Sequence, residues 1–264
     1  MSLRFSHHPG LVAYVTCGDP NLTTSREVIL AAIRAGADVI ELGVPFSEPV
    51  ADGPVIQRAS ERALRHGTSL SDVLRLAKEI RAQAPEVGLL VFSYLNPLVR
   101  MGLGKFAATA KESGVDGVLV TDLPVEEAAD HLGIMRKAGL DTVFLAAPTS
   151  PDERLKAIAE ASRGFVYAVS RTGVTGTRQD LAADASTLVY RIKKFTDLPV
   201  AVGFGISTPQ HFAEVTRFAD AAVVGTAIVQ LIEQSKPESA ASAVGEFLTG
   251  LRAGTTQSAK TTTK

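Results

Sequence analysis

Two hydrophobic periods alternate along the chain. Short, largely β-branched apolar runs recur at Leu11 to Thr16, Val39 to Leu42, Leu89 to Tyr94, Gly117 to Thr121, Thr142 to Ala146, Phe165 to Val169, Pro199 to Val202 and Ala221 to Val224, eight strand candidates in all. Unbroken apolar runs of this length suit strands buried on both faces. Between them lie stretches with the three- and four-residue spacing of one helix face, such as Leu70, Val73, Leu74, Ala77 and Ile80. The first helix carries Thr24 three residues before Glu27, a capping-box spacing, and Gly36 as a stop signal.

A junction also repeats. Gly36-Ala37-Asp38, Gly114-Val115-Asp116 and Gly139-Leu140-Asp141 each close a helix and open a strand, with Ala219-Asp220 a weaker echo. The Gly suits a left-handed helix end, and the Asp is expected to tie down the bottom of the next strand. Eight β-then-α units predict an α/β protein, a single (β/α)8 TIM barrel of parallel strands with extra short helices in its loops. The competing architecture is an open doubly wound sheet, but Thr16-Cys17-Gly18-Asp19-Pro20 stands where that fold would carry its glycine fingerprint. No linker divides the chain, so the barrel is expected over residues 1–252. Residues 253–264 (AGTTQSAKTTTK) lack apolar periodicity and are expected to form a disordered tail. The connection from Gly43 to about Ser69 is punctuated by Pro and Gly and then turns helical, as a functional loop with its own helix would.

Composition narrows the function classes. Of 264 residues, 27 are Lys or Arg and 28 are Asp or Glu, a net charge of −1 that argues against nucleic-acid or polybasic membrane binding. Trp is absent, which removes the usual stacking platforms. No apolar run approaches the roughly 18 residues of a spanning helix, and MSLRFSHHPG lacks a signal-peptide centre, so a soluble cytoplasmic protein is expected. The single Cys, Cys17, excludes an intrachain disulfide and a multi-thiolate zinc site.

A barrel of this kind places its chemistry at the carboxyl ends of the strands. That rule selects Asp19, Glu41, Asp52, Tyr94, Asn96, Asp122, Thr149, Tyr167, Ser170, Arg171, the Gly203-Phe204-Gly205 turn and Gly225-Thr226. Neither Lys nor His falls at these positions, which leaves carboxylate acid–base work without a Schiff base or a histidine-held metal. Glu41 sits at the inner end of an apolar strand, where burial would raise its pKa toward neutrality. Its alternative reading is an ion pair with Arg171 or another barrel-mouth cation. Asp52, in Val50-Ala51-Asp52-Gly53-Pro54, reads either as a second functional carboxylate or as a turn former. The small residues at Gly203 to Ser207 and Gly225 to Val229 follow the last two strands, and the second group opens a helix. Backbone N–H groups there would cradle a phosphate. Gly173-Val174-Thr175-Gly176 supplies a third arm able to close over a substrate.

From about Leu11 to Leu251 the chain resembles the alpha subunit of tryptophan synthase. The motifs that carry the resemblance are ELGVPFSEPVADGPVIQ (41–57), FSYLNPL (92–98), GVDGVLVTDLPVEEA (114–128), FLAAPTSPDERL (144–155), GFVYAVSRTGVTG (164–176) and VGFGIS (202–207). The resemblance implies a lyase that splits indole-3-glycerol phosphate into indole and glyceraldehyde 3-phosphate, without a cofactor or metal in this chain. It implies Glu41 as the general acid–base and Asp52 as acceptor for the indole N–H. Tyr167, Thr175 and Gly176 would position the substrate, with Gly205, Gly225 and Thr226 at its phosphate. Tyr14 and Phe204 would border the indole, and Tyr94 and Asp122 would support the mouth. The implied partner is a beta subunit that carries pyridoxal phosphate and receives indole in an αββα assembly. Glu48, Val55, Thr226 and Tyr14 differ from the residues usual in the family, and the segment before the first strand is short, so a helix closing the barrel bottom is expected to be reduced or missing.

Overall fold

Nine strands form one parallel sheet in a computed structural model that describes residues 3–169, 178–203 and 205–258. They are β1 (Gly10–Thr16), β2 (Val39–Gly43), β3 (Gly88–Ser93), β4 (Gly117–Val120), β5 (Asp141–Val143), β6 (Leu145–Ala146), β7 (Val166–Val169), β8 (Val200–Gly203) and β9 (Ala221–Val224). Their order is β5-β4-β3-β2-β1-β9-β8-β7-β6. The two edges, β5 and β6, are separated in the chain by Phe144 alone, so the sheet curls into a nearly closed barrel. The expected single strand from Thr142 to Ala146 is therefore two short ones. β5 pairs with β4 and β6 pairs with β7, while the Phe144 carbonyl accepts from the Tyr167 N–H at 3.1 Å and bridges the break.

The helices α1 (Leu22–Arg34), α2 (Pro54–Arg65), α3 (Leu70–Gln83), α4 (Leu95–Met101), α5 (Leu103–Glu112), α6 (Ala129–Ala138), α7 (Asp152–Ala161), α8 (Arg178–Lys193), α9 (Pro209–Val215), α10 (Thr226–Gln234) and α11 (Pro237–Ser258) cover the strands from outside. The long connection after β2 holds both α2 and α3. The cap of α1 lies earlier than Thr24: Asn21 Oδ1 accepts from the Thr24 N–H at 2.8 Å, so the helix opens one turn before the capping-box spacing suggests. α11 continues past Ala253, where periodicity fades, as far as Ser258. None of the helices among the described residues is long and apolar enough to cross a membrane.

The repeated Asp residues act as struts between strands. Asp38 accepts from the Leu11 N–H of β1, Asp116 from the Leu89 N–H of β3, and Asp220 from the Val200 N–H of β8, at 2.9, 3.0 and 2.7 Å. Each thus satisfies an N–H on the neighbouring, preceding strand rather than its own. Asp141 instead accepts from the Leu3 N–H at 2.8 Å. That bond anchors a plug: Leu3 and Phe5 pack with Val12, Val39, Leu90, Leu119, Val143 and Phe165 inside the barrel bottom. No helix precedes β1 among the described residues, and this two-residue plug fills the place expected for one.

Candidate active site

Strand alternation sends every second residue toward the barrel axis. On β1 these are Val12, Tyr14 and Thr16; on β2 they are Val39, Glu41 and Gly43, with Tyr14 and Glu41 in direct register. The lower members belong to the apolar plug layer, and the upper ones form the mouth. Glu41 is 1% exposed, and neither of its carboxyl oxygens has a hydrogen-bond partner among the described residues. Burial pushes its pKa up to about 8. The ion-pair reading finds no cation beside Glu41 among those residues, and Arg171 lies outside them.

Asp52 stands in the loop after β2, where its N–H donates to the Pro49 carbonyl at 3.0 Å and two side chains hold it. The Tyr94 hydroxyl donates to Asp52 Oδ2 at 2.9 Å and accepts from the Ala51 N–H at 2.9 Å. Gln57 Nε2 donates to the Asp52 carbonyl at 2.9 Å. Burial raises the Asp52 pKa, and the Tyr94 hydrogen bond offsets part of that rise. Phe46 lies against the Tyr94 ring, with centroids 5.0 Å apart. Asp122 acts one residue further on, where its Oδ1 accepts from the Leu95 N–H at 2.7 Å and fixes the turn that carries Tyr94.

The phenols of Tyr14 and Tyr167 lie within electrostatic reach of both carboxylates. Both have pKa values raised first by burial and then by Asp52 and Glu41. Each hydroxyl occupies the space above an inward-facing glycine: a β-carbon at Gly43 would collide with the Tyr14 hydroxyl, and one at Gly203 would lie 2.7 Å from that of Tyr167. Tyr14 also meets Phe92 edge-on at 5.2 Å. Together with Ala59, Val229, Val55 and Ile56 these rings form an apolar wall. Gly225, the cap residue of α10, faces the same wall, since a β-carbon there would lie 3.3 Å from the Tyr14 Cβ. The first turn of α10, beginning at Thr226, has no side-chain cap, so its N–H groups remain available to an anion. Gly205 has φ +64°, a left-handed conformation that favours glycine.

The chain matches the tryptophan synthase alpha chain family profile over residues 2–256. It is 54% identical to the alpha chain of Solibacter usitatus over 90% of this chain and 89% of that one, and 48% identical to that of Burkholderia thailandensis over 95% and 93%. A crystal structure of the Legionella pneumophila alpha subunit superposes with a TM-score of 0.85 at 36% identity, covering 94% of this chain and 93% of that one. The chain belongs to the tryptophan synthase alpha chain family. It is a lyase of tryptophan biosynthesis, and the family's reaction is cleavage of indole-3-glycerol phosphate.

For an alpha chain, the mouth gathers Tyr14, Glu41, Asp52, Tyr94, Tyr167 and Gly225 and leaves other sequence candidates elsewhere. Asp19 is consumed by Arg62, at 2.7 and 2.8 Å, which ties the loop after β1 to α2, and Arg62 also meets Glu233 at 2.6 Å, which ties α2 to α10. Asn96 lines a groove with Phe46 and Arg100, and Thr149 lines a separate cleft with Asp122 and Arg154. Ser170, Arg171, Thr175, Gly176 and Phe204 lie outside the described residues. Ala59, Phe92 and Val229 escaped sequence reasoning as members of the wall; the signal was present in Val55, Ile56 and Ala59, whose spacing marks one face of α2.

Proposed function

We propose that Glu41 moves both protons of the retro-aldol cleavage. Glu41 in its acid form first gives its proton to indole C3, and the resulting carboxylate then takes the proton of the glyceryl hydroxyl as the bond between C3 and the glyceryl carbon breaks, leaving indole, the aldehyde of glyceraldehyde 3-phosphate and a reprotonated Glu41. The observation that carries this reading is a fully buried, unpaired carboxyl whose pKa of about 8 lies close to the operating pH, where a single group both accepts and gives protons readily. Asp52 accepts from the indole N–H and stabilises positive charge on the ring, a role that suits a carboxylate already aimed by Tyr94. The apolar wall of Tyr14, Phe92 and Val229 takes the indole, together with Phe204. The phosphate rests on the first turn of α10 at Gly225 and Thr226, beside Gly205, and Tyr167, Thr175 and Gly176 orient the remainder. Tyr94 and Asp122 support the mouth.

The chain works as one catalytic domain over residues 1–252, in the cytoplasm, and needs no cofactor of its own. Its partner is a tryptophan synthase beta subunit in an αββα assembly, which receives indole and carries the pyridoxal phosphate. Glu41→Gln tests the assignment, because an amide of the same shape cannot shuttle a proton. Indole release should fall by about 10²–10⁴-fold with the fold intact by circular dichroism, and a variant keeping more than about a tenth of the activity would contradict the acid–base role.

A further inference from the structure

Four carboxylates are buried among the described residues, and three of them are satisfied. Asp19 has Arg62, Asp38 has backbone N–H groups and Asp116 has Arg81 and the Leu89 N–H. Glu41 alone has no donor. Below it the barrel is apolar, filled by Val39, Leu90, Phe165 and the Leu3–Phe5 plug. The titratable groups that face it are Tyr14 from β1, Tyr167 from β7 and Asp52 from the loop after β2, with Cys17 beyond Tyr14, while β3 contributes the apolar Leu90 and Phe92.

The Tyr14 hydroxyl has the complementary deficit. It lies 3.3 Å from the Thr16 hydroxyl, and both side chains are buried. Two hydroxyls carry two protons, and one contact between them uses one, so a donor proton stays uncommitted among the described residues. Buried donors of this kind are normally satisfied. Gly43, two residues beyond Glu41 on the same inner face of β2, leaves the space that brings this hydroxyl across from β1. A carboxyl lacking donors and a hydroxyl with a spare proton thus occupy neighbouring pleats, and Glu41 has three side-chain torsions with which to close the gap. Tyr167 faces Glu41 across the barrel from β7, whereas Tyr14 stands beside it in direct register on the adjacent strand, so both phenols enter the test.

We propose that Tyr14 is a positioning residue: when Glu41 is ionised its carboxylate accepts a hydrogen bond from the Tyr14 hydroxyl, and that contact sets how readily Glu41 gives and takes protons. The inference rests on the reading of Glu41 as the acid–base group.

The test is the pH dependence of kcat/KM for indole release by the wild-type chain, Tyr14→Phe, Tyr167→Phe and Glu41→Gln, each with beta subunit. Loss of a donor to the ionised form raises the proton affinity of a carboxylate. In Tyr14→Phe the limb governed by Glu41 should therefore move to higher pH by about one unit, with the melting temperature little changed. A purely structural role would lower activity without moving the limb. An unmoved limb in Tyr14→Phe, or one that moves in Tyr167→Phe instead, overturns the inference while an inactive Glu41→Gln leaves the acid–base reading standing. An active Glu41→Gln overturns both.

Discussion

Burial at the inner end of β2 strips Glu41 of water, and the same loss that tunes its chemistry costs stability. An ordinary glutamate ionises near 4.5, and Glu41 in the folded chain does so near 8. Between those values the folded chain holds a proton that the unfolded chain has released, so its contribution to stability is complete below about pH 4.5 and is lost as pH rises toward 8. Glu41→Gln removes this penalty. The variant should be more stable than wild type at pH 9 by about 2–5 kcal/mol in denaturant unfolding, and the gap should close near pH 4. Equal stability at pH 9 would mean that a cation pairs with the carboxylate or that water reaches it. Glu41 was legible in the sequence because an acidic residue interrupts an apolar strand at its inner end. The Tyr94 clamp on Asp52 was not, because the two residues are 42 positions apart and only the folded loop joins them. Nor was the seat of the Tyr14 hydroxyl over Gly43, which depends on the register of β1 with β2.

Among the elements, strands were easiest to read, since a barrel strand is buried on both faces and shows as a continuous apolar run. The same continuity hid the break at Phe144, where an apolar residue sits between β5 and β6 without interrupting the pattern. The start of α1 was misjudged for a related reason. Asn21, Thr24 and Ser25 are all capping types, and burial of Thr24 and Ser25 decides between them in favour of Asn21. The bare N-terminus of α10 is the element with the clearest functional expectation. A side chain at Gly225 would enter the space beside Tyr14 and push the anion away from the helix N–H groups. Gly225→Val should raise the KM for indole-3-glycerol phosphate by about tenfold or more, equivalent to roughly 1.4 kcal/mol of binding, while leaving kcat less affected. An unchanged KM would move the phosphate elsewhere.

The described residues stack in layers along the barrel axis: a plug of Leu3 and Phe5, an apolar layer, then a mouth of carboxylates and phenols. The repeat count announced the barrel. The plug could not be read, because Leu3 and Phe5 lie in a short segment without periodicity and find their places only through Asp141 and the ring of strands. Beyond the barrel, the most direct measurement of the account is indole release from indole-3-glycerol phosphate by the purified chain, alone and with a tryptophan synthase beta subunit. Slow release by the isolated chain, increased at least tenfold by the partner, is the predicted result. No release under either condition would contradict the assigned lyase chemistry, and equal rates with and without the partner would contradict its role as a subunit.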